Sequence, residues 1–107
     1  MRTDVAQLNY LHKTLRELLV WLERTTGLEF TETSSWRPHD DGVHGTSPVR
    51  GYDVRMRSET IGQAVADHIN DAREYDPGRP DLACAVLHGE ASNVHLHIQV
   101  HGNTRRL

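Results

Sequence analysis

The sequence has few of the residues that build disulfide-bonded, membrane-spanning or strongly basic proteins. Cys84 is the single cysteine among 107 residues, so no internal disulfide and no cysteine-based zinc site can form. No apolar run approaches the roughly 18 residues that span a membrane. Lysines and arginines number 12 against 15 aspartates and glutamates, a formal charge of -3. A general nucleic-acid binder needs a clear basic excess, so this balance argues against one.

The length and composition favour one small domain with a thin core. With 36% hydrophobic and 25% charged residues, 107 residues can fold alone but have little apolar material to spare. The N-terminal stretch carries charges throughout, unlike a signal peptide. We therefore expect a single domain over residues 1–107 that is made and kept in the cytoplasm. Cys84 lies in an apolar run and is expected to be a buried core residue.

Hydrophobic spacing predicts two helices. The first covers residues 4–26 and ends at Gly27, and the second covers residues 59–74 with Ser58 as its N-cap. In both segments apolar residues recur at three- and four-residue steps, which gives each helix one buried stripe. The stripes consist of Val5, Leu8, Leu11, Leu15, Leu18, Leu19 and Leu22 in the first helix and of Ile61, Val65, Ile69 and Ala72 in the second.

Residues that favour β-structure, several of them alternating in polarity, predict four strands. In chain order these cover residues 28–34, 52–57, 83–88 and 94–101. A short glycine-containing segment, residues 89–93, joins the last two and favours an antiparallel hairpin. The order α-β-β-α-β-β has no βαβ rhythm. It indicates an α+β domain in which two helices cover one face of a small, mainly antiparallel sheet.

The last predicted strand is the most informative segment because its polar positions are mostly histidines. The chain has eight histidines, and several in one short strand are not expected by chance. The apolar positions should face the core, so that His95, His97, Gln99 and His101 line the opposite face. Imidazoles two residues apart on a strand can both reach one ion, or one can bind it while the other handles protons.

A second segment supplies further side chains that bind metals. His44 and Asp53 flank small and turn-forming residues, which let the backbone fold tightly enough to bring both side chains to one ion. A catalytic zinc site uses three nitrogen or oxygen ligands and keeps one position open for water. His44, Asp53 and one of the strand histidines would supply this set. The residues therefore predict a zinc site.

The order of these motifs resembles a known enzyme family. The motifs are Ser35-Trp36-Arg37, His44, Arg50-Gly51-Tyr52-Asp53 and His95-Leu96-His97. Together they span roughly residues 28–101. In this order they resemble the zinc D-alanyl-D-alanine carboxypeptidases and endolysin L-alanyl-D-glutamate peptidases, which share the hedgehog/DD-peptidase fold.

The resemblance implies a zinc-dependent peptidase that hydrolyses an amide bond of a peptidoglycan stem peptide. It implies that three side chains bind Zn2+, namely His44, Asp53 and His97. His95 would then handle the proton, and Arg37 would hold a substrate carboxylate or steady the oxyanion, with Ser35 of the same motif also binding substrate. The absence of a signal peptide fits a phage-encoded enzyme released at lysis.

Two departures from the family pattern keep alternatives open. His44 and Asp53 are farther apart in the sequence than the corresponding ligands usually are in the family. Val94 stands three residues before His97, where many members carry an acidic residue that serves as the general base. The second departure favours a non-catalytic zinc module of the same fold that is structural or binds the cell wall. A zinc hydrolase of another amide and an interaction domain without metal are further alternatives. A fourth protein ligand such as His39 or His95 would favour the structural module, and an open position would favour the enzyme.

Overall fold

A computed structural model gives the fold of residues 11–28, 31–34, 42, 48–89 and 93–107, with residues 31–34 described by their backbone. The elements in chain order are helix α1 (Lys13–Thr26), strands β1 (Thr31–Ser34) and β2 (Gly51–Arg55), helix α2 (Glu59–Ala72), and strands β3 (Arg73–Glu74), β4 (Ala85–His88), β5 (His95–Gln99) and β6 (Arg105–Arg106). Two helices and a mainly antiparallel sheet confirm the predicted small α+β domain. Within these ranges no helix combines the length and apolar character needed to cross a bilayer.

Four strands form one antiparallel sheet in the spatial order β1-β2-β5-β4. The predicted hairpin is confirmed, since β4 and β5 are antiparallel neighbours. Gly89 follows β4 with φ of 88°, and a Cβ there would collide with the carbonyl oxygen of Asn93. Only glycine adopts this conformation without steric cost, so this residue fixes where the hairpin turns.

One hydrophobic core joins both helices to the sheet. Its members include four leucines of α1 and the alternate apolar residues of β5, and its largest wholly enclosed side chain is Tyr52 on β2. The predicted alternation along β5 is confirmed, because Leu96 and Ile98 are 0% exposed while His95 and His97 are half-buried. The sheet therefore has an apolar face towards the helices and a polar face away from them.

Helix α2 buries a slightly different stripe from the predicted one. Its buried residues are Gly62, Val65, Ala66 and Ile69, whereas Ile61 is 41% exposed. A Cβ on Gly62 would overlap the side chain of Leu87. The helix therefore turns its glycine to the sheet, where the two elements approach closely, and leaves Ile61 at the rim. Ser58 caps the helix as predicted, its hydroxyl accepting from the N–H of Ile61 at 3.1 Å.

Helix α1 begins at Lys13, later than the predicted start at residue 4. His12 has an extended ψ of 140°, and its Nδ1 accepts the N–H of Thr14 at 3.1 Å, which caps the helix. Leu11 instead forms an isolated bridge with Val49, and both are buried. Residues 4–10 lie outside the described part of the chain. The predicted end at Gly27 is confirmed by its φ of 66°.

The second helix ends at Ala72 rather than at residue 74. The two following residues become extended and pair with β6 as a two-stranded ribbon that was not predicted. Arg105 strengthens the ribbon, donating from Nε and Nη2 to one carboxylate oxygen of Glu74 at 3.1 and 3.0 Å. This ribbon sets the C-terminal arginines beside helix α1, where Arg106 lines two pockets with the helix and Arg105 lines one of them.

The single cysteine is wholly buried, as its apolar surroundings predicted, with Cys84 at 0% exposure. Burial raises the pKa of this thiol from 9.0 to about 11, against an opposing effect of the Arg73 charge. At pH 8 only about one thiol in a thousand is then ionised, and the thiolate is the reactive form. We expect the folded protein to react with dithionitrobenzoate at least 100-fold more slowly than glutathione does. Full reactivity should appear in denaturant, and fast labelling of the native protein would contradict a buried thiol.

Candidate functional site

The sheet face turned away from the core gathers polar side chains from three strands. On one side of β5, His97 lies directly opposite Asp53 of β2. On its other side, His95 lies directly opposite His88 of β4. Opposed residues of antiparallel strands share a face with their Cβ atoms about 5 Å apart, so these side chains are neighbours. Gln99 follows on the same face, two residues beyond His97.

Among the described side chains of this face, the closest contact joins Asp53 and His97. The carboxylate Oδ1 and the imidazole Nδ1 are 2.7 Å apart. The two side chains are only 12% and 17% exposed, although they lie on the polar side of the sheet. Their direct opposition across β2 and β5 accounts for the short distance, because neither side chain has to reach along the strand.

Gln99 forms a hydrogen bond with Nε2, the second ring nitrogen of His97. Its amide nitrogen donates to the carbonyl of Ala83 at 2.9 Å. A carbonyl can only accept, so this bond sets which end of the Gln99 amide faces His97. The end that faces it is the oxygen, Oε1, at 3.2 Å from Nε2 of His97. An amide oxygen also only accepts, so Nε2 of His97 carries a hydrogen and donates it.

The orientation of Gln99 has a direct consequence for the Asp53–His97 contact. In a neutral imidazole that carries its hydrogen on Nε2, the other nitrogen presents a lone pair. That nitrogen, Nδ1, faces a carboxylate oxygen at 2.7 Å, and an ionised carboxylate has no hydrogen to donate. Two acceptors at this distance repel unless a cation lies between them. A proton meets that need at the observed distance, and a metal ion would meet it once the two atoms move slightly apart, so these side chains could serve as two ligands of one metal.

The donor types and their spacing also suit zinc. Zn2+ binds histidine nitrogen and carboxylate oxygen, and two ligands of one tetrahedral ion lie about 3.4 Å apart. The observed 2.7 Å separation needs only a small side-chain adjustment to reach that value. A histidine that binds metal usually donates its second N–H to an oxygen that fixes the ring. Gln99 occupies that supporting position here.

Two more imidazoles stand beside this pair. The ring of His88 lies 5.5 Å from that of His95 and 6.1 Å from that of His97, centroid to centroid. His88 is exposed and His95 half-buried, so both are reachable from solvent. The sequence pattern predicts no role for His88. Its position follows from the hairpin register, which the length of the 89–93 loop alone did not determine.

Cationic side chains flank the polar face. Arg55 lies opposite His95 and is exposed. Arg50, just before β2, is half-buried and its Nη1 donates to the carbonyl of Val100 at 3.4 Å. The exposed Arg55 favours anionic groups near this face through long-range attraction.

The structure brings together two of the three predicted zinc ligands, Asp53 and His97. The third, His44, lies outside the described residues, as do Ser35 and Arg37, so these three stay predictions. Within the described ranges no set of three or more histidine, cysteine, aspartate or glutamate side chains is arranged to hold a metal ion. No protein-family model, curated protein or solved structure matches the chain.

Proposed function

We propose that the protein is a zinc-dependent peptidase that hydrolyses an amide bond of a peptidoglycan stem peptide. The observation that carries the metal is the contact between Asp53 Oδ1 and His97 Nδ1, two metal-binding atoms 2.7 Å apart, with the imidazole Nε2 directed at the Gln99 amide oxygen. In this proposal His44 supplies the third ligand. The substrate class rests on the motif order around these residues.

The chain's own residues would divide the chemistry as follows. Bound Zn2+ supplies Lewis acidity, which lowers the pKa of water and polarises a carbonyl. His95, half-buried on the same face two residues before His97, would take a proton from the attacking water and pass it to the leaving amine. Gln99 would hold the His97 ring in place. Arg37 would bind a substrate carboxylate, and Ser35 would contact the same substrate.

The same proposal assigns the domain to the hedgehog/DD-peptidase fold and its origin to a phage-encoded protein that acts after lysis. Support for the fold comes from the placement of Asp53 and His97 on adjacent central strands of an antiparallel sheet. Stem peptides carry several carboxylates, and the exposed Arg55 on the same face would attract them.

A non-catalytic zinc module of the same fold is the second candidate function. Val94, which stands where many family members carry the acid, is 1% exposed and belongs to the core. A side chain at this position is therefore turned away from the polar face. If His95 does not act as the base, the zinc pair would serve stability or wall binding alone.

The test is release of amine from defined stem peptides by the zinc-loaded protein. The substrates should include one ending in D-alanyl-D-alanine and one with an L-alanyl-D-glutamate bond. We expect turnover that falls more than 100-fold on chelation and returns with Zn2+. His95→Gln should keep the metal and lower kcat by about 100- to 10,000-fold. The control His101→Gln, in a residue whose Nδ1 accepts the N–H of Asn103, should leave kcat unchanged. Stoichiometric zinc without turnover on either peptide would instead favour the non-catalytic module.

A further inference from the structure

A basic groove runs along helix α1, built from residues other than the zinc ligands proposed above. It has a volume of about 570 Å³, and the described residues that line it include four cations, Lys13, Arg16, Arg24 and Arg106, and one carboxylate, Glu17. Four positive charges and one negative charge leave a formal excess of three positive charges. The whole chain has a formal charge of -3, so the groove opposes the overall sign. Such a local excess attracts anions to one face.

The groove cations are weakly neutralised by their surroundings. Lys13 and Glu17 are 4.0 Å apart and their side chains are 82% and 57% exposed, which makes a weak pair. In the part of the chain that the structure describes, no carboxylate is hydrogen-bonded to Arg16, Arg24 or Arg106. The neighbouring Arg105 differs, because Glu74 takes two of its hydrogen bonds. An added anion would therefore meet cations that are still available.

Part of the groove lining is apolar. Trp21 forms part of it, with the His68 ring stacked at 4.6 Å and the Arg73 guanidinium 4.4 Å from the indole ring. Burial lowers the pKa of Arg73, and the nearby charge of Arg106 lowers it further. This like-charge repulsion is a second reason for an anion to be stabilised here. Val20, 53% exposed, is the other apolar residue that lines the groove among the described residues.

The distance between the cations favours a linear ligand with several anionic groups. Lys13 and Arg24 are 11 residues apart on one helix, about 16 Å at the α-helical rise. A single small anion can meet one or two of these charges, whereas a chain of anionic groups can meet all of them. Arginine forks bind phosphate oxygens in pairs, and three of the four cations are arginines.

The apolar part of the lining also indicates which kind of polyanion the groove can bind. Single-stranded nucleic acids are held by stacking bases on exposed aromatic faces. His68 and Arg73 already contact the ring of Trp21, which leaves it poorly placed to stack a base. An anionic membrane needs protruding apolar anchors, but among the described residues that line this groove only Val20 is an exposed apolar side chain. We propose that the groove binds a linear polymer of phosphodiester-linked polyols, a polyanion without bases.

The test is binding of a defined poly(glycerol phosphate) chain, measured by titration calorimetry. Arg16→Gln combined with Arg106→Gln should weaken binding at least 10-fold. The matched control, Arg57→Gln combined with Arg79→Gln, removes the same charge from exposed residues outside the groove and should weaken it less than twofold. Affinity should also fall steeply with salt, as expected for contacts with several phosphates.

Three results would overturn the groove assignment. One is equal loss of affinity in the two double variants, which would mean non-specific charge attraction. Another is glycerol phosphate monomer binding as tightly as the polymer. The third is tighter binding of oligothymidylate or of phosphatidylglycerol vesicles than of poly(glycerol phosphate). Because none of the mutated arginines belongs to the proposed zinc site, the result does not depend on peptidase activity.

Discussion

Replacing His97 with alanine is expected to abolish stoichiometric zinc binding. The change removes the Nδ1 that faces Asp53 at 2.7 Å and leaves a single described ligand on the sheet. Asp53→Asn should weaken zinc binding at least 100-fold for a different reason. Its amide can donate a hydrogen to Nδ1, so the two groups no longer need a cation between them. Metal content after dialysis against buffered zinc, and competition with a chromophoric chelator, measure both effects.

A graded control comes from Gln99, which holds the imidazole without binding the ion itself. Gln99→Leu should lower zinc affinity about 10- to 100-fold, the usual cost of losing a hydrogen bond to a metal-binding histidine. It should still reach one zinc per chain at saturation. His44→Ala should behave like His97→Ala. If His97→Ala and Asp53→Asn both retain one zinc at the original affinity, the ligand assignment is wrong.

A zinc-free native protein would also be informative. The position between Asp53 and His97 would then be filled by a proton, giving an imidazolium paired with a carboxylate. The hydrogen-bond geometry would be satisfied, but the peptidase proposal would lose the observation on which it rests. Metal analysis of protein purified without chelators distinguishes these two states before any activity is measured.

The parts of the fold that the sequence predicted well are those with strong periodicity. Along β5 every second residue is apolar, and the structure buries each of these positions. That alternation fixed which way His95 and His97 point before any strand partner was known. The hairpin was also predicted correctly, because the loop before β5 is short and begins with Gly89.

Other features of the fold could not be predicted from the spacing of apolar residues. Leu11 fits the apolar stripe predicted for α1, but it lies before the start of the helix. It is buried there and pairs with Val49 in an isolated bridge. The spacing of Leu11 would be the same inside the helix or before it, so the pattern could not tell the two apart. Histidine is not a usual capping residue, so His12 did not mark the start of the helix either. The β3–β6 ribbon has two residues per strand, too few to show any period. In α2 the pattern favoured Ile61 as a buried position, because Gly62 has no apolar side chain that could reveal the buried face.

The candidate site also has features that the sequence pattern predicted and one that it could not. Alternation put His97 and Gln99 on one face, so their proximity could be expected from the sequence. The bond from Gln99 to the Ala83 carbonyl could not, because it depends on the path of the chain just before β4. That bond decides which imidazole nitrogen faces Asp53. The decisive detail of the site is therefore tertiary, although its residues were identified from a local pattern.

Replacing Leu96 with alanine is expected to lower the free energy of unfolding by about 2–5 kcal/mol. The side chain is 0% exposed and lies directly between Val54 and Leu87 in the central sheet, so its removal leaves a cavity. The whole stability of a domain of this size is about 5–15 kcal/mol. Val86→Ala, on the neighbouring strand at 38% exposure, is the matched control and should cost less than about 1 kcal/mol. Urea unfolding measures both.

The same substitution separates the contribution of the core from that of the metal. Leu96 points away from the face that carries His95 and His97, so its truncation should leave the zinc affinity of the folded protein within threefold. Zinc at 100 times its Kd should then stabilise the original chain and Leu96→Ala equally, by about 2.7 kcal/mol, and His97→Ala not at all. Loss of zinc affinity in Leu96→Ala as large as in His97→Ala would contradict this separation. The ligands would then depend on core packing rather than on their own hydrogen bonds.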